Sequence, residues 1–347
     1  MKLLEIPMRH SLGVALAALF SMGVAQAQFE PAPNANHDAM YEYFMKAKAI
    51  AGDDLYPHFA HACIVDQHYR RTISRRSQAN GEIRPLQITD NLYFIGQNSA
   101  SSWAIKTSEG IIVIDAQHNG EEAEAIVAGG LRQVGLDPKD IKYVVISHSH
   151  GDHFGGANYL KDTYGARLLA SKEDWDVMED MRNAPPRPAG QDGEGGGGPA
   201  AWARLAPARD MELSDGQAFT MGDTTIHFYV TPGHTPGTLA AIFKTTDQGI
   251  PHVVAYYGSL GMPAALEDKK IVLASVARFK KLAEEAGVDT LISSHQTRDL
   301  SLHKLEILRL RRAGDPNPYV VGKVGYQRYM DIQTACVNYA IAREGQM

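Results

Sequence analysis

Three histidines and one aspartate lie within six residues of the chain, in the segment 148–153 (HSHGDH). Imidazoles packed this densely beside a carboxylate would repel one another or stay unpaired unless a divalent cation organised them. Zinc suits nitrogen and oxygen ligands of this kind. A polar turn without any ligand is the alternative, but three histidines at these offsets rarely coincide by chance in a chain with 14 histidines. The segment therefore predicts a metal site formed by His148, His150, Asp152 and His153.

Two further histidines stand in comparable places. The apolar segment 141–146 predicts a strand that ends just before the histidine-rich turn, and strands are predicted at 225–231 and 290–294. His234 follows the second strand in a Pro-Gly-His-Thr-Pro-Gly turn, and His295 follows the third. Strand ends hold side chains rigidly and border the clefts of α/β sheets. Candidate metal ligands therefore follow each of three predicted strands.

The rest of the chain predicts a scaffold large enough to fix such a site. It has 347 residues, of which 44% are hydrophobic and 21% charged, so it suits one large domain or two small ones. A Gly/Pro-rich segment at 183–201 is either a loop over the site or a passive insertion. Ser171 is predicted to cap a helix. The other predicted elements are strands at 92–95, 102–106, 110–115 and 166–170, and helices at 40–51, 121–134 and 156–164.

The charge pattern limits the classes of molecule that the protein is expected to bind. The formal net charge is −6, and lysines and arginines are scattered along the chain. Neither a phosphate-binding stripe nor a polybasic membrane patch is evident, which disfavours nucleic acid as a substrate. A small-molecule substrate is expected, and the oligomeric state is left open.

The N-terminus has the pattern of a secretory signal peptide. Basic residues precede an apolar stretch at 12–24, which ends in the A-x-A pattern of residues 25–27. An internal helix is the alternative, but the stretch is apolar on every face and short for a membrane span. We expect residues 1–27 to be removed and the mature protein to be periplasmic or secreted, without stable membrane association. Residues 28–85 would then form an N-terminal extension.

Export bears on the two cysteines, Cys63 and Cys336. In an oxidising compartment a single pair favours a disulfide. Such a bond would tie the N-terminal extension to a C-terminal helical segment. Two buried, unbonded cysteines are the alternative.

These motifs resemble the metallo-β-lactamase superfamily. The resemblance rests on the HSHGDH run, on His234 in its Gly-His-Thr-Pro-Gly turn and on His295 after a Ser-Ser strand end, and it spans residues 92–313. Five histidines and one aspartate, with no cysteine ligand, are similar to subclass B3 of the metallo-β-lactamases. The resemblance implies an α/β fold, an αββα sandwich of two mixed sheets over residues 86–347, with the metals at one edge.

The resemblance also implies two zinc ions and their ligands. The first ion would be held by His148, His150 and His234, and the second by Asp152, His153 and His295. Open coordination positions would let a bound hydroxide attack a carbonyl carbon. Asp152 would orient the nucleophile or accept its proton.

One stretch departs from the wider superfamily. Gly258 stands where many relatives have a metal-bridging aspartate, which disfavours a thioesterase of the glyoxalase II type. Ser259 falls where other lactamase subclasses place a cysteine ligand, and we take it as a candidate substrate contact. Gly261 replaces a serine that helps some subclass members hold the substrate carboxylate.

The leading hypothesis is an exported zinc hydrolase that opens the β-lactam amide. A lactonase or esterase with the same site is the alternative, because activated water does not distinguish amide from ester. A non-catalytic zinc-binding protein is a third reading. Outside this site, His58, His61 and His68 are interpreted as ordinary buried or surface imidazoles.

Overall fold

The computed structural model describes residues 30–69, 73, 79–185 and 199–347. These residues form two mixed β-sheets packed face to face, with helices on both outer faces. The predicted α/β fold class, an αββα sandwich, is confirmed. The predicted signal peptide and residues 186–198 of the Gly/Pro-rich segment lie outside the described residues.

The first sheet has seven strands in the order β1 to β7. Its first four strands form an antiparallel meander, and β4 to β7 pair in parallel. Continuous apolar runs such as that of β4 suit parallel strands covered on both faces. The strands are β1 (Leu86–Gln87), β2 (Leu92–Phe94), β3 (Trp103–Thr107), β4 (Gly110–Ile114), β5 (Ile141–Val145), β6 (Arg167–Ser171) and β7 (Met211–Leu213).

The second sheet has five strands in the order β12-β11-β10-β9-β8. Strands β8 to β11 are antiparallel to their neighbours, and β12 pairs with β11 in parallel. The strands are β8 (Ala218–Met221), β9 (Thr224–Val230), β10 (Leu239–Asp247), β11 (Ile250–Tyr257) and β12 (Thr290–Ser293).

Helices connect and cover these strands. Helix α2 continues through a π-helical turn at Ala60–Val65 into Asp66–His68, and α3 continues through Ala123–Ala128 into Gly129–Gln133. The helices are α1 (His37–Ala51), α2 (Tyr56–Phe59), α3 (Gly120–Glu122), α4 (Gly151–Phe154), α5 (Ala157–Tyr164), α6 (Lys172–Asn183), α7 (Pro199–Leu205), α8 (Leu266–Ala286), α9 (Gln296–Asp299), α10 (Ser301–Arg309) and α11 (Gly322–Arg343).

The central core lies between the two sheets. It contains Phe94 and Trp103 from the first sheet and Phe228, Phe243 and Tyr256 from the second, all at most 1% exposed. Helices α3, α5 and α6 bury apolar side chains against the first sheet, and α1, α2, α8 and α11 against the second. Burial of this apolar surface is the main force that fixes the strand ends carrying the histidines.

The N-terminal helices pack on the C-terminal helix. A disulfide joins Cys63 and Cys336, with 4.9 Å between their Cα atoms. The Arg328 side chain on α11 donates to the backbone oxygens of Ile50 and Ala51, at 2.9 and 2.6 Å. The first described helices and the C-terminal helix therefore form one layer over the second sheet.

Among the described helices, none combines the length and apolarity needed to cross a membrane.

Candidate metal centre

The structure brings the six predicted ligand side chains into two adjacent groups. Within each group, the ligand atoms all lie within 4.8 Å of one another. The rings of His148 and His153, one from each group, are 3.9 Å apart between centroids. The first group is His148, His150 and His234, and the second is Asp152, His153 and His295.

The nitrogens of the first group point at one another. His148 Nε2 is buried and has no hydrogen-bond partner among the described residues. His234 Nε2 lies 3.1 Å from His150 Nδ1. His148 Nδ1 lies 3.1 Å from Ser147 Oγ, which leaves the Nε2 lone pair for another partner. Converging imidazole nitrogens of this kind fit a zinc ion.

Asp174 ties together the two loops that carry the first group. Its carboxylate accepts hydrogen bonds from Ser149 N and Oγ, between His148 and His150, at 3.1 and 3.0 Å. It also accepts from Thr235 Oγ1 at 2.8 Å and from Gly237 N at 3.1 Å, beside His234. Burial raises the pKa of Asp174, and these four donors oppose that rise.

Asp115 holds His153 of the second group from behind. His153 Nδ1 donates to Asp115 Oδ2 at 2.8 Å, and Tyr256 OH donates to the same oxygen at 2.7 Å. The Ser147 amide donates to Asp115 Oδ1 at 2.8 Å. With Nδ1 used in this way, His153 Nε2 faces Asp152 Oδ2 at 3.1 Å. A hydrogen bond to a ligand's second nitrogen fixes its tautomer and ring orientation.

His295 is oriented in the same manner. Its Nδ1 donates to the backbone oxygen of Ser99 at 2.7 Å, and its Nε2 lies 3.8 Å from Asp152 Oδ2. The Ser99 loop is held against β12, because the Ser101 amide donates to the Ser294 oxygen at 2.8 Å. Both sheets thus contribute to the second group.

Four of the five imidazoles are kept neutral. Burial lowers the pKa of His148 and His234 well below the usual value, and the pKa of His150 more moderately. Burial also lowers the pKa of His295 to about 4. Neutral imidazole is the form that binds metal, so these side chains are ready ligands at neutral pH.

The Asp152 and His153 pair is charged. Burial opposes both charges, but Asp152 and Asp115 raise the pKa of His153 to about 10. In turn His153 holds the pKa of Asp152 well below its usual range despite burial. A cation between them must therefore displace the proton of His153. With three protein ligands in each group, the donor sets fit two zinc ions with positions left for substrate.

Small residues and one tryptophan border the first group. The Trp202 ring lies over His150, with 5.1 Å between centroids and 34° between planes. A Cβ atom at Gly151 would lie 2.1 Å from Trp202 Cδ1, so this approach requires glycine. A Cβ at Gly261 would lie 2.3 Å from His234 Nδ1.

Ser259, predicted as a substrate contact, lies beside the centre. It lines a cavity that is also lined by His234 and His295. The Ser259 side chain is nearly buried, and its Oγ accepts from the Gly261 amide at 3.1 Å. A Cβ at Gly258 would lie 2.2 Å from the Leu239 oxygen, so the position of the missing bridging aspartate is filled by backbone.

Sequence reasoning missed the part that Asp174 plays in this site. The capping interpretation of Ser171 is confirmed, since its side chain accepts from the Asp174 amide at 3.2 Å, but it gave no role to the Asp174 carboxylate. Trp202 approaches the backbone closely at Gly151. The isolated Gly151 inside the histidine-rich run was the available sign that another group approaches the backbone there.

A two-sheet sandwich with paired three-ligand groups at its strand ends is consistent with a metallohydrolase. Residues 95–245 match the metallo-beta-lactamase superfamily. The structural neighbours include a subclass B3 metallo-β-lactamase, the subclass that the sequence motifs resemble.

Two solved structures illustrate this. The metallo-β-lactamase of Cronobacter sakazakii, in a mutant form, is 28% identical, with a TM-score of 0.57 over 73% of this chain and 95% of that one. The subclass B3 enzyme of Bradyrhizobium japonicum, at 24% identity, shares the fold, with a TM-score of 0.57 over 77% and 93%.

The curated relatives match less of this chain at similar identity. A hydroxyacylglutathione hydrolase of Acidiphilium cryptum is 25% identical over 62% of this chain and 78% of its own length. An exodeoxyribonuclease of Streptococcus pneumoniae is 28% identical over 24% of this chain, and the match spans only 30% of that protein. The superfamily is hydrolytic, and its members act on different substrates.

Proposed function

We propose that the protein is an exported, zinc-dependent hydrolase of the subclass B3 type that opens the amide bond of β-lactams. One observation carries the proposal: five histidines and one aspartate, with no cysteine, converge in two groups that border a single cavity. Each group offers three protein ligands, as catalytic zinc sites do, whereas structural sites have four.

Zinc bound there would polarise the scissile carbonyl and lower the pKa of a bound water to about 7. The protein fixes the positions of the ligand side chains. Asp174 and Asp115 fix the ligand loops, and burial keeps four of the five imidazoles neutral. Asp152 stands between His153 and His295, where its carboxylate can orient the attacking water and accept its proton.

A lactone or other ester is the second candidate substrate, and Gly261 favours it. A side chain at this position would collide with His234, so a serine contact to the β-lactam carboxylate is missing. A substrate without that carboxylate loses no binding contact at this position. The same site chemistry serves both substrates.

Metal analysis combined with a substrate panel tests these proposals. We expect two zinc ions per chain and zinc-dependent turnover of a cephalosporin or a carbapenem. Turnover of an acyl-homoserine lactone alone would establish the second candidate instead. Bound zinc without turnover of any carbonyl substrate would identify a non-catalytic zinc-binding protein.

Export is tested separately by N-terminal sequencing of the protein recovered outside the cytoplasm. We expect the mature chain to begin at Gln28. Exported protein that retains Met1 would contradict cleavage at the A-x-A pattern.

A further inference from the structure

The cavity beside the metal centre has a second wall that the metal-binding loops do not provide. His234 and His295 line it. Ala62 and Gln67 from the N-terminal helical segment also line it, with Gln333 from α11, and we call these residues the wall. A molecule in this cavity that reaches the ligand nitrogens therefore also meets the N-terminal helical segment and the C-terminal helix.

This wall is firmly held. The Cys63–Cys336 disulfide crosses it, and Cys336 itself lines the cavity. An ion pair between Arg298 and Asp66, at 2.6 Å, joins the His295 loop to the N-terminal segment. Groups fixed before a ligand arrives lose little entropy on binding, so this wall is preorganised for recognition.

Gln333 is the polar residue of the wall whose hydrogen bonding is not accounted for by the fold. Its side chain is 5% exposed and lines the cavity, yet its amide makes no hydrogen bond to any described residue. Neither polar atom of this amide is among the fully enclosed unpartnered atoms, so the amide is open to the cavity and to a partner within it. Asn338, one turn and a residue further along α11, instead donates to the Thr334 oxygen at 2.9 Å.

Charge restricts what Gln333 can meet. Among the described residues that line the cavity, Arg298 and Asp66 are the only charged groups apart from the histidines, and they are paired with each other. In the described part of the chain, the wall therefore offers hydrogen bonds and no unpaired cation for a carboxylate. An uncharged amide, which both donates and accepts, matches the glutamine amide.

We propose that this wall is a specificity subsite and that Gln333 hydrogen-bonds an uncharged amide or carbonyl substituent next to the bond that is cleaved. The inference deepens the proposed function, on which it rests for the nature of the reaction. It makes Gln333 a specificity-determining residue rather than part of the metal chemistry. Substrates with an acylamino group beside the scissile carbonyl would be preferred over those without one.

Two zinc-binding hydroxamates of equal chain length provide the test. N-acetylglycine hydroxamate carries an amide in its chain, whereas pentanohydroxamate carries only methylenes. Their dissociation constants are measured by calorimetry on the zinc-loaded mature protein, its Gln333→Met variant and its Asn338→Met variant. This binding measurement requires no turnover. Failure of the proposed function is therefore detected by the substrate panel, and failure of the Gln333 proposal by the binding constants.

We expect Gln333→Met to weaken N-acetylglycine hydroxamate about three- to tenfold, the range of one net hydrogen bond, and to leave pentanohydroxamate unchanged. Asn338→Met should leave both constants unchanged. An equal effect on the two ligands, or none, would overturn the proposal, as would wild-type protein that binds neither. Should Gln333→Met lower the melting temperature, Gln333→Glu, which keeps the shape but loses the N–H donor, is expected to show the same selective loss.

Discussion

Histidines gather in two regions of this molecule and behave in opposite ways. At the strand ends, the ligand atoms of each group lie close to one another. His148 Nε2 is buried among them and has no hydrogen-bond partner in the described residues. In the N-terminal helical segment, His58 Nδ1 donates to the Arg298 oxygen at 3.0 Å. There, too, His68 Nε2 lies 2.6 Å from Tyr339 OH, and His61 lies 3.5 Å from Asp66.

The difference lies in what the nitrogens face. In the candidate metal centre, the outer nitrogens of His148, His153 and His295 face protein groups, and the ligand atoms of each group lie close together. In the helical segment each ring faces a different neighbour, as the sequence interpretation of these histidines expected. Histidine density alone therefore does not indicate a metal site, whereas convergence of ligand atoms in two three-residue groups does indicate a candidate one.

Removing a ligand is expected to have the largest effect. In Asp152→Ala the second group keeps two imidazoles and no carboxylate, so we expect one zinc per chain instead of two. The value of kcat/KM should fall by more than about 100-fold, the upper range for losing only an outer partner of a ligand. His58→Gln serves as the control and should keep both zinc ions. Equal zinc loss in the two variants would abolish the distinction between the regions.

Breaking the disulfide should affect stability and spare the metal centre. The double variant Cys63→Ser/Cys336→Ser is expected to lose about 2–5 kcal/mol of unfolding free energy, measured by urea denaturation. Zinc content should stay at the wild-type value, because neither cysteine is among the ligand groups. Zinc loss from the folded double variant would show that the wall supports the ligands directly.

Removing the Asp174 carboxylate should loosen the first group without removing a ligand. In Asp174→Ala four hydrogen bonds to the His148–His150 and His234 loops disappear, and zinc affinity should fall about 10- to 100-fold. Competition with a chromophoric chelator measures this change. Asp176→Ala, which removes an exposed carboxylate paired with Lys172 on the same helix, should leave the affinity unchanged.

The smallest effect concerns pH. Burial lowers the pKa of His58 to about 3 from 6.5, so the folded protein resists protonation of this ring. The corresponding stability is present above pH 6.5 and is lost as pH falls toward 3. The unfolding free energy of wild type relative to His58→Gln should decrease by about 2 kcal/mol between pH 7 and pH 5. A pH-independent difference would show that His58 is not kept neutral by the fold.

Local patterns predicted most of the scaffold. The apolar segments at 92–95, 110–115 and 141–146 are observed as strands that start at the predicted residues and end one residue earlier. The helix predicted at 121–134 begins at Gly120 and contains a π-helical turn at Ala123–Ala128. Its apolar pattern does not encode the extra residue in that turn.

The candidate site was predictable where ligands sit in short motifs. The HSHGDH turn combines residue type and spacing in six positions, and the Pro-Gly turn marks His234 as presented. Asp174 and Gln333 could not be found in this way, because their partners are remote in sequence: Asp174 meets Gly237 63 residues later. Such contacts arise from tertiary packing and leave no periodic pattern.

The disulfide between Cys63 and Cys336 also sets an order of events during synthesis of the chain. The two cysteines are separated by 273 residues. At roughly 5–20 residues per second, ribosomes need roughly 15 to 55 s to synthesise that interval. All six histidine and aspartate ligands are made before the sulfur partner exists. A nascent chain thus carries the six candidate ligands before Cys336 exists, so the disulfide can form only after synthesis has reached the final helix.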